Sequence, residues 1–151
     1  MSDNLTPADL DIDPSTGSPV QLYRWLLASL LFGRRIQQEI AAQTYRTLID
    51  HSFTSPARFS EVGREQFRRI LDEGGYARFD YIMTDELRDV MPRLAEEYGS
   101  VHHLVASSSD RDELIDRLTA FKGIGPVTAR IFADAMPSHL YGTAQPSGVS
   151  S

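Results

Sequence analysis

One short run concentrates residue types that could do chemistry: Lys122-Gly123-Ile124-Gly125-Pro126-Val127-Thr128. Two glycines one residue apart bring backbone amides within reach of a ligand, because no Cβ stands in the way. Proline at the first position of a following helix leaves the N–H groups behind it without intrahelical partners, and the helix dipole makes that end favourable to negative charge. Backbone donors and a positive helix end suit a phosphate. Lys122 adds a cation and Thr128 a hydroxyl. The competing reading is a plain αα corner, in which glycine terminates one helix and proline starts the next. Taken with the apolar residues that flank it, the run reads as an anion-binding hairpin in preference to that corner.

Other candidates are weaker. Arg34 and Arg35 stand at an expected helix start and suit phosphate contacts, and Arg64, Arg68 and Arg69 form a second basic group. Asp134, on the expected last helix, reads as a solvated acid and is not assigned a catalytic role. His102 and His103 are adjacent and would diverge by about 100° on a helix, and His51 and His139 lie far from them, so no metal site is expected. Glu96, Glu97, Asp110, Asp112, Glu113 and Asp116 read as a solvated face and helix-cap charges. Trp25 and Tyr76 read as core or hinge aromatics. No catalytic residue is named.

Composition narrows the rest. A chain of 151 residues is long enough for one core and too short for two. It contains no cysteine, which excludes disulfides, an iron-sulfur cluster, a thiol nucleophile and cysteine-ligated zinc. No apolar run approaches the ~18 residues of a membrane span. The first residues, MSDNLTPADLDID, lack the pattern of a signal or transit peptide, so a cytoplasmic location is expected, nucleoid-associated in a bacterium or archaeon, and the chain is expected to be a monomer. Net charge is -6, distributed as -4 over residues 1–18, +2 over 19–81, -5 over 82–121 and +1 over 122–151. The acid thus gathers in a leader and one later stretch, leaving the hairpin and residues 19–81 mildly basic. Fourteen of the fifteen cations are arginine, the residue suited to bidentate phosphate contacts.

The elements that must position the hairpin are helices. Residues 1–17 read as a disordered acidic leader, residues 18–136 as the folded domain and residues 137–151 as a disordered tail. Ser18-Pro19-Val20-Gln21 predicts a capping box ahead of a leucine-rich helix ended by Gly33, and a second helix is expected from about Arg34 to Asp50. A short helix follows Ser55-Pro56, and another runs from near Gly63 to Gly74-Gly75. A long helix over Ala77 to Tyr98 contains Pro92, a short turn follows Ser100, and an acidic box at Asp110 opens the helix that enters the hairpin. The last helix spans Val127 to about Ala135. No strand-type alternation occurs, so the fold class is all-α with seven or eight helices.

FKGIGPVTARIFADAM resembles the helix-hairpin-helix motif of the HhH-GPD superfamily, the base-excision DNA glycosylases related to endonuclease III. PVQLYRWLLASLLFGRRIQQEIAAQTYRTLID is similar to the opening helix pair of that superfamily, and ILDEGGYARFDYI to its Gly-x-Tyr turn into a long helix. The resemblance spans residues 19–136 and implies a six-helix barrel type of orthogonal bundle. It implies double-stranded DNA, damaged or intact, as the partner, bound through hairpin amides. The expected contact set is Lys122, Gly123, Ile124, Gly125, Val127 and Thr128, together with Arg34 and Arg35. It also allows a monovalent cation at the hairpin carbonyls.

The departures concern catalysis. Where bifunctional members carry a Schiff-base lysine, two residues after the second hairpin glycine, this chain has Val127, and the window of their catalytic carboxylate falls near Gln145, with no acid after Asp134. The segment that fills the vacated base position corresponds to the apolar Ser29-Leu30-Leu31-Phe32-Gly33, and the four-cysteine loop is missing. The expectation is therefore a DNA-binding protein of the glycosylase type with catalysis in question. The alternatives are a non-catalytic protein-interaction domain, suggested by the acidic stretch, and a truncated remnant of a glycosylase, suggested by the uncharged residues after Pro137.

Overall fold

The structure, a computed structural model, describes residues 5–144. Among them are seven α-helices, short 3-10 turns and no strand, the all-α architecture expected from the periodicity. The helices are α1 (Pro19–Phe32), α2 (Gln38–Asp50), α3 (Arg64–Glu73), α4 (Asp80–Tyr98), α5 (Val101–Ala106), α6 (Arg111–Thr119) and α7 (Pro126–Asp134). No helix among the described residues is long and apolar enough to cross a membrane.

The leucines of α1 bury nearly its whole circumference from Leu22 to Phe32, so it forms the centre of the domain. Around it pack α2, α5 and α7, while α4 closes the other side against α3, α5 and the Pro56–Ser60 turn. Phe53, Phe59 and Phe67 meet ring to ring with centroids 5.0–5.5 Å apart beneath that turn. Pro92 lies within α4 without ending it.

The turn after α3 ties two elements together. Gly75 has φ +97°, a backbone that glycine adopts without strain. Gly74 lies so close to α2 that a Cβ there would stand 2.6 Å from the Thr44 Cα. Tyr76 is fully buried and its hydroxyl donates to the Leu31 carbonyl at 2.8 Å. That carbonyl, in the last turn of α1, accepts no backbone N–H among the described residues, so the phenol satisfies a helix-end acceptor from across the core.

Several expectations are corrected. The leader is not disordered over residues 5–17: Pro7–Leu10 and Pro14–Thr16 form 3-10 turns, and Leu10 and Ile12 join the core. These few apolar residues show no period of their own and are buried only because the assembled helices offer them a surface. Polar bonds hold the segment, among them Thr6 N–H to the Asp9 carboxylate at 2.7 Å and Arg46 Nη2 to the Asp9 carbonyl at 3.1 Å. The tail likewise packs as far as Ala144. Leu140 is buried against Gly17, and the amides of Gly142 and Ala144 donate to Ser108 and Ala106 at 2.8 and 3.0 Å. Residues 1–4 and 145–151, also assigned to leader and tail, lie outside the described residues.

The box expected at Ser18 does not form, because the Gln21 side chain accepts from Asp13 N–H at 2.7 Å instead. At Asp110 the cap does form, its carboxylate accepting from Glu113 N–H at 2.9 Å. Helix α2 begins at Gln38, so Arg34 and Arg35 lie in the connection between α1 and α2 and not at a helix start. A side-chain link across the fold, Arg34 to Glu86, accompanies that connection.

Candidate nucleic-acid interface

The hairpin is held from below and open above. Phe121 and Ile124 are buried, and Ile124 N–H donates to the Phe121 carbonyl at 3.1 Å, closing a turn between α6 and α7. Lys122, Gly123, Gly125, Pro126 and Val127 face solvent, Val127 with 53% of its surface exposed. Gly125 is the N-cap of α7 and its carbonyl accepts from Ala129 N–H at 3.0 Å. The N–H groups of Gly125, Val127 and Thr128 find no acceptor among the described residues. These are the orphan donors of a helix start, and here they border a cleft of about 370 Å³.

Three glycines around this cleft have three different reasons. Gly123 has φ +102° and packs on α4, where a Cβ would stand 3.3 Å from Glu86 Cγ. Gly33 has ordinary helical dihedrals, but a Cβ there would overlap the Thr128 hydroxyl, so the end of α1 and the start of α7 touch only because it is glycine. Gly125 has φ -88° and ψ 174°, open to any residue, and a Cβ there would meet nothing within 4 Å. The fold explains the first two and leaves the third unexplained.

The expected contact residues divide accordingly. Thr128 and Ile124 line the cleft but are buried. The side chain of Thr128 lies against Gly33. Lys122 and Arg35 are exposed and carry no ion pair among the described residues. Arg34 lines the cleft, but its Nη2 donates to the Glu86 carboxylate. Glu86 was not singled out from the sequence, where it is one acid among several on α4. Its position is visible only once α4 lies beside the hairpin.

The remaining candidates lie elsewhere. Arg64 binds Asp85 through two nitrogens, at 2.7 and 3.1 Å, and Arg68 reaches Asp72 and Asp80 at 2.6 and 2.8 Å while stacking over the Tyr81 ring at 4.8 Å. Asp134 is exposed, pairs with Arg111 and borders a second cleft, of about 580 Å³, walled by Trp25, Phe32, Val127 and Ile131. His51 faces Glu73 at 3.2 Å, and His102 Nδ1 donates to the Gly17 carbonyl at 2.6 Å. No cluster of three or more metal-ligating side chains occurs among the described residues. Burial pushes the phenols of Tyr23 and Tyr76 well above the usual range and that of Tyr45 up to about 12, so these hydroxyls stay protonated inside the domain.

Comparison with protein-family models, with curated proteins and with solved structures finds no match to this chain.

Proposed function

We propose that this chain binds double-stranded DNA, damaged or intact, through the α6–α7 hairpin, in the manner of the HhH-GPD glycosylases that its sequence resembles. The observation that carries the reading is Gly125: neither conformation nor packing requires glycine there, whereas close approach of a phosphate to the free amides of Gly125, Val127 and Thr128 does. Lys122 and Arg35, both exposed and without ion pairs among the described residues, supply the cations that phosphate affinity needs. The carbonyls of Gly123 and Ile124 accept no backbone N–H among the described residues and fit the monovalent cation that the resemblance allows.

The proposal concerns binding and names no catalytic residue. Val127 stands at the position of the family's Schiff-base lysine, and the window of its carboxylate, near Gln145, lies outside the described residues.

Fluorescence anisotropy with undamaged and abasic-analogue duplexes across a salt series tests the reading. Wild-type affinity is expected to fall with salt and to drop at least about tenfold in Gly125→Glu, which places a carboxylate at the helix start. A preference for the abasic analogue leads on to assays of base release. Equal, negligible binding by both proteins overturns the reading in favour of a protein-interaction domain.

A further inference from the structure

The cleft at the hairpin already contains an anion. Glu86 accepts a hydrogen bond from Arg34, and both side chains line the same cleft as Gly123 and Gly125, with 20% and 32% of their surfaces exposed. The Glu86 stem lies over Gly123, so its charge is held on the wall of the cleft that the free amides also border. A carboxylate and a phosphate offer a guanidinium the same kind of acceptor, so a phosphate in the cleft competes with Glu86 for the Nη2 of Arg34. On the neighbouring surface α4 adds Asp85 and Asp89, each bonded to an arginine, Arg64 at 2.7 Å and Arg93 at 2.8 Å. These two acids border a depression shared with Lys122 and Gly123, so their charge is largely offset locally, as that of Glu86 is by Arg34.

We infer that Glu86 is an internal competitor for the hairpin site, occupying Arg34 until DNA takes the arginine over. The inference rests on the DNA-binding reading above. It gives the pair a role in setting affinity: the free protein holds Arg34 in place, and binding exchanges one acceptor for another. It also relates the chain's acidic character to its candidate site, since the acid nearest the hairpin comes from the stretch with the largest negative excess.

The test compares wild type, Glu86→Gln, Arg34→Gln and the double variant by anisotropy with the same duplexes and salt series, with Gly125→Glu as the hairpin control. Circular dichroism melts verify that each protein is folded at the assay temperature. Glu86→Met, which keeps the methylenes over Gly123 and drops the charge, is the second variant should Glu86→Gln melt early. Removing the carboxylate is expected to tighten binding about five- to tenfold, with the slope of log affinity against log salt little changed, because Arg34 meets phosphate in both complexes. The gain is expected to disappear in the double variant.

Unchanged or weaker binding by both Glu86 variants, with wild-type binding still lost in Gly125→Glu, overturns the competitor and leaves the DNA reading standing. A gain that persists undiminished without Arg34 overturns the exchange. No binding by any variant removes the DNA reading and this inference together.

Discussion

Among the turns that place a positive-φ glycine after a helix, those at Gly75 after α3 and Gly123 after α6 are used in opposite ways. The first is sealed. Gly74 abuts Thr44, whose hydroxyl reaches the Ile40 and Gly74 carbonyls at 2.8 and 3.2 Å, and Tyr76 runs through the core to Leu31. The second is sealed only on its inner side, by Phe121 and Ile124, and presents Gly125 with its free amides to solvent. Neither backbone conformation nor a close neighbour accounts for Gly125, as neither does for Gly63 at the start of α3, but Gly125 borders the hairpin cleft. The first turn is structural throughout, and the second has one glycine to spare.

Gly74→Ala drives a Cβ into the α2 backbone and is expected to cost about 3 kcal/mol, read as a lower urea midpoint at unchanged slope. A loss well under about 1 kcal/mol would mean the first turn is not sealed. Tyr76→Phe leaves the Leu31 carbonyl buried and unpaired, with an expected loss of roughly 1–2 kcal/mol by the same measurement.

Acid stability probes the ion pairs on the flank of the sealed turn. The hydrogen bond from Arg64 holds Asp85 below its ordinary value of 3.8. For Asp80, burial works upward, but bonds from Asp72, Arg68 and the Tyr81 amide outweigh it and hold the group low. A depressed folded pKa contributes stability that is complete above about 4 and is lost as pH falls through the depressed value. Asp72, raised by burial and by its neighbour Asp80, works the other way and protonates first. Melting temperature is therefore expected to fall as pH drops below about 4, and less steeply in Asp80→Asn, whose melting curves against pH check the sign.

The smallest expected effect is the sharpest test of the contrast. Gly125→Ser, at a helix N-cap with open space around it, is expected to change stability by less than about 0.5 kcal/mol. A loss above about 1 kcal/mol would make Gly125 a structural glycine like Gly74 and remove the observation on which the DNA reading stands.

Much of the fold is legible in the residues. The leucine spacing of α1, the caps at Asp110 and Pro126 and the stop at Gly74-Gly75 are local signals, and the helices form within a few residues of where those signals fall. Arg34 and Arg35 mark the limit of such reading. They follow the break at Gly33 and so stand where a helix start is expected, yet the chain runs through residues 34–37 before α2 starts, and one arginine is drawn off to Glu86. The leader is a second case, since Leu10 and Ile12 have no periodicity and are buried only by surfaces that other elements create.

Helix periodicity, caps and breakers act over three to five residues, and residue order alone therefore reads as an all-helical chain with a glycine hairpin ahead of a proline-started helix. Only the tertiary structure decided which glycines are spoken for, that Thr128 turns inward against Gly33, that Tyr76 completes the end of α1, and that a carboxylate of α4 stands at the hairpin. Those outcomes depend on distances between elements far apart in the chain, such as Gly33 and Thr128 or Arg34 and Glu86, and residue order carries no direct measure of such distances before the helices pack.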